Sequence, residues 1–248
     1  MSNLNLERLN PVIREKFSPF LEEILNRYRE NIHSIHVTGT AITDDFNTKR
    51  SDVNSIFVLK EMEMKFLELI APLGKKYGKQ KVAAPLIMTP EYIKRSLDVF
   101  PVEFMNFKLI HTTVLGEDIF KDIEINRMDL RHQCERELKV NLIGLRQGYI
   151  SSMGNIKILT ENLTDSITGY IPLFRGIIAL FEKEPPVNQR ETIKMLAETA
   201  GVNTDIFAKV LKNKHEQIKF SIEEVNTIFK DYYTITEKLG RIVDEIKN

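Results

Sequence analysis

Two short apolar stretches near the start of the chain decide its fold, and they read IHVTGT at residues 35–40 and SDVNSIFVL at residues 51–59. Both are rich in β-branched and other apolar residues, which is typical of strands. The first stretch ends in the turn Gly39-Thr40. A glycine in such a turn lets backbone N–H groups approach phosphate oxygens, and the hydroxyl beside it adds a donor. The pattern therefore predicts two strands with a phosphate-binding turn after the first.

The second stretch opens with Ser51, Asp52, Val53 and Asn54. Asp52 and Asn54 are two residues apart, so on a strand their side chains point to the same side. Carboxylate and amide oxygens are ligands for hard cations such as Mg²⁺. The pattern favours a nucleoside triphosphate held on a metal ion, with Ser51 as a further candidate contact.

Composition limits the classes of protein that this chain can belong to. Its 248 residues carry 35 Lys and Arg against 35 Asp and Glu, giving a net charge of +0. This balance argues against nucleic acid as a partner and favours small ligands. Cys134 is the single cysteine, which excludes an intrachain disulfide. The sequence has no apolar run of membrane-spanning length and begins with a polar segment, so we expect a cytoplasmic protein without a membrane partner.

The hydrophobic pattern changes near residue 126, which predicts two domains at 1–126 and 127–248. The first half combines predicted strands at 35–40, 51–59, 82–88 and 99–108 with helices at 11–29, 61–77 and from Pro90. The second half reads as long helices at 130–150, 155–182, 188–200, 204–212 and 221–247. We therefore expect an α+β fold, with a mixed sheet and flanking helices, followed by an all-α helical bundle. The histidines suggest no site, and Cys134 lies on an apolar helix face as a predicted core residue.

Gly39-Thr40, the pair Asp52-x-Asn54 thirteen residues later and the helical second half together resemble the nucleotidyltransferase superfamily of DNA polymerase β. Within it, the chain is most similar to the kanamycin nucleotidyltransferase type. The resemblance implies that Gly39 and Thr40 bind phosphate and that Asp52 is a magnesium ligand. It also implies a third carboxylate on a later strand, for which Glu103 in VEFMNF at residues 102–107 is the candidate. Glu103 would then be both a metal ligand and the base for the acceptor hydroxyl.

Asn54 departs from the family, because the resemblance implies a second acid at this position. An amide oxygen ligates a cation but brings no charge and does not bridge two ions. Two-metal phosphoryl transfer needs both ions, so one ion is expected to be weakly held. Asp44 and Asp45 would supply the missing charge if their loop folded back, although turn formation is the simpler interpretation.

Two functions follow from these residues. In the first, a magnesium-dependent transferase moves a nucleoside monophosphate from a nucleoside triphosphate to a hydroxyl of a small-molecule or protein acceptor, which lies in the cleft between the domains. In the second, the chain is a catalytically inactive module that binds a nucleotide or a protein. Its helical half is then a surface for a partner or for a homodimer.

Overall fold

The computed structural model describes residues 4–216 and 218–246, which form two compact units. The first unit contains the described residues up to Leu97 together with Phe104–Glu124. The second contains Asp98–Glu103 and the described residues from Ile125 onwards. The predicted division into domains at residue 126 stays a prediction.

A mixed sheet forms the centre of the first unit. Its four strands are β1 (Ile32–Thr38), β2 (Asn54–Leu59), β3 (Leu86–Met88) and β4 (His111–Gly116), in the order β3-β2-β1-β4. Strand β1 runs antiparallel to both β2 and β4, whereas β2 and β3 are parallel. The central strands β1 and β2 are buried along nearly their whole length, so their side chains form the core of the unit on both faces.

Gly116 ends β4 where the chain passes very close to β1. A Cβ atom added to Gly116 would lie 2.1 Å from the carbonyl oxygen of His33, and the residue has a φ of 77°. Only glycine avoids both the collision and the strain of this backbone conformation. The approach accompanies a register shift in the β1–β4 pairing between Ile35 and His36.

Three helices belong to the first unit with the sheet: α1 (Pro11–Tyr28), α2 (Met64–Gly78) and α3 (Pro90–Ser96). A fourth helix, α4 (Pro101–Leu109), begins with residues of the second unit and continues into the first. Helix α1 begins as the sequence indicates, because Asn10 accepts a hydrogen bond from the Val12 N–H and Pro11 occupies the first helical position. One face of α1 buries five apolar side chains, which join the core of the sheet: Ile13, Phe17, Phe20, Leu21 and Ile24.

The second unit consists of α5 (Arg127–Ser151), α6 (Ile156–Leu180), α7 (Gln189–Ala200), α8 (Asp205–Glu216) and α9 (Ile222–Glu245). An aromatic cluster lies between α6, α8 and α9, formed by Tyr170, Phe174, Phe207 and Tyr232. Cys134 is fully buried on α5, as expected of a core residue. None of the described helices is both long and apolar enough to cross a membrane.

The predicted fold class is confirmed, since a mixed sheet with flanking helices precedes a helical region. The strand predicted at 99–108 is wrong, because residues Pro101–Leu109 form α4. Proline fits the first position of a helix, where its missing N–H costs nothing. The next N–H group, that of Val102, donates to Oε1 of the buried Gln133 at 2.8 Å. This side chain therefore caps α4 in a way that local alternation of apolar residues does not reveal.

Candidate functional site

The predicted phosphate-binding turn lies directly after β1. Gly39 has a φ of 73° and begins a short 3-10 turn that spans Gly39–Ile42. In this turn the Thr40 carbonyl accepts a hydrogen bond from the Thr43 N–H at 3.2 Å. The left-handed conformation explains the glycine, because other L-residues adopt it only with strain.

Asn54 lies beside this turn through the pairing of β1 with β2. It is opposite Thr38 in the register, and a Cβ atom built on Gly39 would be 3.5 Å from its Nδ2. The side chain of Asn54 is exposed, while its neighbours Val53 and Ser55 are buried. The structure thus brings together the turn and the amide that the sequence analysis assigned to one site.

Asp52 precedes β2 and has the same exposed character as Asn54, in agreement with the predicted alternation. Between them, Val53 is anchored on both sides, since its N–H donates to the Lys81 carbonyl and its carbonyl accepts from the Ala83 N–H. The Asp52 carboxylate is 3.7 Å from Lys81 Nζ, and half of its side chain is exposed. Solvent screens an ion pair of this kind, so Lys81 holds the Asp52 carboxylate only weakly.

Ser51 takes part in a local turn. Its Oγ accepts a hydrogen bond from the Asn47 N–H at 3.0 Å, and its own N–H donates to the Asn47 carbonyl at 2.8 Å. The hydroxyl hydrogen is not used in this pair, so Ser51 keeps a donor for a ligand. In the same loop, the Asp45 N–H donates to Thr43 Oγ1 at 3.3 Å, which is the turn geometry expected for this segment.

Glu103 lies in the first turn of α4 and not on a strand. Its Oε2 accepts a hydrogen bond of 2.7 Å from Nε2 of Gln133. The same Gln133 caps Val102, so one buried amide fixes both the start of the helix and the orientation of the carboxylate. The assignment of Glu103 as a metal ligand stays a prediction.

The strands next to β2 do not supply a third acid. Strand β1 has the sequence IHSIHVT and its parallel neighbour β3 has the sequence LIM, neither of which contains a carboxylate. The expectation of an acidic strand residue beside Asp52 therefore fails for these two strands. The reason is topological, because the segment that contains Glu103 is helical and contributes no strand to the sheet.

A second group of polar side chains, which the sequence analysis missed, lies elsewhere on β1 and β4. It consists of His36, His111 and Asp118, whose side chains could together hold a metal ion. His36 is fully buried. Burial, and then the neighbouring charge of His111, lower the pKa of His36 to about 4. Burial raises the pKa of Asp118, but its hydrogen bond with His111 and the charge of that residue outweigh this effect and leave the pKa below its usual value.

In sequence, the only sign of this group is a histidine in the middle of an apolar strand. His36 lies far from His111 and Asp118 along the chain, and the pairing of β1 with β4 is what brings them together. Only the register of β1 and β4 therefore shows that these three side chains lie close together.

The second unit has an open groove of about 380 Å³ along α5 and α6. Polar side chains from both helices line it, among them Asn141, Asn162 and Asp165, together with the ring of Tyr149. The groove therefore combines hydrogen-bonding groups with an aromatic surface.

No family model and no curated protein matches this sequence. Among solved structures, the chain is similar to spectinomycin adenyltransferase AAD(9) from Enterococcus faecialis, whose structure was determined with ATP and spectinomycin. The TM-score is 0.45 at 14% sequence identity, and the alignment covers 91% of this chain and 98% of that chain.

Proposed function

We propose that the first unit binds a nucleoside triphosphate with Mg²⁺ and that the chain transfers the nucleoside monophosphate to a hydroxyl of a small-molecule acceptor. The observation that carries this proposal is the position of Asn54, two residues after Asp52, beside the Gly39 turn, where a Cβ built on Gly39 would be 3.5 Å from Asn54 Nδ2. A turn suited to phosphate and two side chains suited to a cation are thereby placed next to each other. A metal-bound triphosphate requires this combination.

The donor set fits one Mg²⁺ ion that arrives with the nucleotide. Such an ion is usually held by one or two carboxylates together with substrate phosphates and water, and Asp52 with Asn54 offers one carboxylate and one amide oxygen. The ion would neutralise charge on the phosphates during transfer. A second ion does not fit the neighbouring strands, since β1 and β3 carry no carboxylate.

Each remaining residue has a defined role in this proposal. The backbone at Gly39 and the hydroxyls of Thr40 and Ser51 donate to phosphate oxygens and orient the triphosphate. Lys81, now 3.7 Å from Asp52, turns its ammonium group toward the phosphates as they arrive.

Glu103 belongs to the second unit, and it is proposed as the base on the strength of the family resemblance alone. It takes the proton of the acceptor hydroxyl as that oxygen attacks the α-phosphorus, and pyrophosphate leaves with the electron pair of the broken P–O bond. Gln133 holds one of its carboxylate oxygens, which limits the rotation of the group. Glu103→Gln keeps this hydrogen bond and removes the basic oxygen, so it should reduce transfer without reducing nucleotide binding.

A second function is a nucleotide-binding module without transfer activity. Two observations favour it: Asn54 provides no charge, and Lys81 lies close to the carboxylate of Asp52. Both lower the negative charge available to hold a cation. In this case the helical second unit is proposed to bind a protein partner or a second copy of the chain.

Nucleotide binding is tested by thermal unfolding of the full chain with each of the four ribonucleoside triphosphates and Mg²⁺. A ligand that binds only the folded state raises the Tm. We expect a shift in the wild type, and we expect Asp52→Asn to remove most of it. Asp122→Asn is the matched control, because Asp122 is an exposed carboxylate of the same unit outside the proposed site. The absence of a shift with all four nucleotides at ~1 mM would contradict both functions.

Transfer itself is measured as pyrophosphate release with a panel of hydroxylated small molecules. Release that depends on the acceptor supports the transferase, whereas binding without release supports the module. Asn54→Asp sharpens the distinction by adding one charge at the ion. This charge is worth a few kcal/mol before desolvation, so Mg²⁺ affinity should rise about tenfold or more. Equal affinities would show that position 54 does not contact the ion.

A further inference from the structure

Three side chains with metal-binding atoms converge in the first unit. His36 comes from β1, His111 from the start of β4 and Asp118 from the segment that follows β4. One ligand atom from each residue lies within 4.8 Å of the other two. This group does not contain any residue of the proposed nucleotide site.

The register of β1 and β4 fixes the positions of both imidazoles. His36 pairs with Thr113 and Thr38 pairs with His111, so the two histidines are diagonal neighbours on adjacent strands. Side chains in such positions share one face of the sheet and lie within contact distance. Their ring centroids are 5.7 Å apart.

Phe120 closes the group on the apolar side. It is fully buried, and its ring centroid lies 4.8 Å from that of His36 and 5.5 Å from that of His111. The aromatic ring limits rotation of both imidazoles and covers them on this side, while the side of Asp118 stays accessible to water. The two rings are thus held in place before any ion arrives, which lowers the entropic cost of binding it.

Hydrogen bonding determines which nitrogen of His111 faces the group. Its Nδ1 lies 2.7 Å from the carbonyl oxygen of Phe107, and a carbonyl only accepts, so Nδ1 carries a hydrogen and donates it. Its Nε2 then faces Asp118 Oδ1 at 2.7 Å. A nitrogen lone pair and a carboxylate oxygen repel each other, so at this distance a proton lies between them, and an incoming metal ion would have to displace it. A backbone carbonyl on the opposite nitrogen is the usual support for a metal-bound histidine.

In His36, hydroxyl groups serve as the hydrogen-bond partners that support the imidazole. Its Nδ1 is 3.0 Å from Thr113 Oγ1 and its Nε2 is 2.9 Å from Ser34 Oγ. A hydroxyl donates or accepts equally well, so if one nitrogen gives up its hydroxyl partner to bind an ion, the other nitrogen can still donate to its own. The ion reaches the group from the side of Asp118, whose side chain is 41% exposed.

We propose that His36, His111 and Asp118 form a binding site for a divalent transition-metal ion, with zinc as the best match and water as a fourth ligand. Two imidazoles and one carboxylate with an open fourth position are a common donor set for zinc, whereas Mg²⁺ prefers oxygen ligands. In tetrahedral zinc sites neighbouring ligand atoms are roughly 3.3 Å apart. To reach this spacing, the His111–Asp118 pair, now 2.7 Å apart, would have to open by about 0.6 Å, and the widest pair, at most 4.8 Å apart, would have to close by up to about 1.5 Å. The bound ion ties β1 to β4 and to the segment that carries Asp118.

The site is tested with the metal-stripped full chain and zinc alone. We expect calorimetry to show one equivalent of zinc bound with a Kd of ~1 μM or below, together with a rise in the Tm. Asp118→Asn and His111→Gln should each weaken this binding at least ~10-fold. His132→Gln is the control and should leave it unchanged, because His132 is an exposed histidine of α5.

X-ray absorption of the zinc-loaded wild type provides a measurement that needs no variant. Two imidazole ligands in the spectrum support the site, and fewer than two overturn it. The proposal is also overturned if zinc does not bind at one equivalent, or if Asp118→Asn binds zinc as tightly as the wild type. The exposed Asp118 side chain makes this variant suitable even if His111→Gln does not fold.

Discussion

The sheet of the first unit buries an imidazole, whereas the helices of the second unit bury phenol groups. His36 is held by the hydroxyls of Ser34 on the same strand and Thr113 on β4. Tyr170 and Tyr232 are held by Thr236 and Ser166, respectively. All of these groups have hydrogen-bond partners, so neither core is destabilised by an unsatisfied polar atom at these positions. The difference is that the first core opposes protonation of its imidazole, whereas the second opposes deprotonation of its phenols.

Burial acts in opposite directions on the two kinds of group. It lowers the pKa of His36 to about 4, because the charged form of an imidazole is the protonated one. It raises the pKa of Tyr170 and of Tyr232, since the charged form of a phenol is the deprotonated one. Near neutral pH the tyrosines do not change charge, so a moderate fall in pH should act on the first unit and spare these groups of the second.

The largest effect that we predict is the loss of an aromatic ring from either core. Phe207 is fully buried, and its ring centroid lies 4.7 Å from that of Phe174 and 4.8 Å from that of Tyr232. Phe207→Ala should therefore cost about 3–5 kcal/mol of stability in the second unit, through lost burial and the cavity left behind. Phe57→Ala is the matched change in the first unit, where Phe57 is also fully buried.

Hydrogen exchange followed by mass spectrometry measures the protection of backbone amides in each of the two units separately. We expect Phe207→Ala to lower the protection of amides in the second unit and Phe57→Ala to lower it in the first. An equal loss over both units in each variant would show that they unfold together. That result would contradict the predicted division of the chain into two domains.

A smaller effect is predicted for pH in the metal-free chain. His36 has a folded-state pKa near 4 and an unfolded-state value of 6.5, so the unfolded chain binds its proton first as the pH falls. The stability of the first unit should be complete above pH ~6.5 and should decrease by up to about 3 kcal/mol toward pH 4. The charges of His111, Asp118 and His33 act on the same imidazole and modulate the slope.

The measurement is hydrogen exchange of both units at several pH values after correction for the intrinsic exchange rate. His36→Gln should flatten the pH dependence of the first unit, and His132→Gln should not. If the first unit of the wild type is equally stable at pH 7 and pH 4.5, the buried imidazole does not govern its pH response.

The smallest predicted effect concerns two glycines with left-handed backbones, one in each unit. Gly39 has a φ of 73° and Gly201, which ends α7, has a φ of 62°. A Cβ atom on Gly39 would meet Asn54 Nδ2 at 3.5 Å, an ordinary van der Waals distance, and one on Gly201 would have no neighbour within 4 Å. Each Gly→Ala change should therefore cost only about 1 kcal/mol of strain. Gly39→Ala should in addition weaken nucleotide binding, whereas Gly201→Ala should not. Urea unfolding and nucleotide titration of both variants make this comparison, and equal nucleotide affinities would remove Gly39 from the site.

Much of the helical architecture is predictable because the signals are local. Helices α5, α6 and α7 begin after asparagines that cap them, and α9 begins after Ser221, whose capping box with Glu224 is complete. The strand pair β1 and β2 is equally evident, since short buried strands have a characteristic composition. These features depend on residues within one or two turns of each other.

The errors and omissions come from contacts between distant parts of the chain. Helix α4 depends on Gln133, which lies 31 residues after Val102, and its apolar residues alone resemble a strand. The meeting of His36, His111 and Asp118 depends on which strands pair and in which register. The strand next to Asp52 was expected to carry an acid, and only the sheet order shows that LIM occupies this place.

Gly116 also limits which amino-acid substitutions the chain tolerates. Any side chain at this position would overlap the His33 carbonyl on β1, and the strand β4 would have to move away from its partner. In a library that contains every single substitution, we expect none of the nineteen replacements at position 116 to fold correctly. Gly144, where an added Cβ would have open space around it, should accept small residues. Because the pairing of β1 with β4 also aligns His36 with His111, selection for a well-formed sheet alone would preserve the geometry of the histidine pair, even in relatives that never bind an ion there.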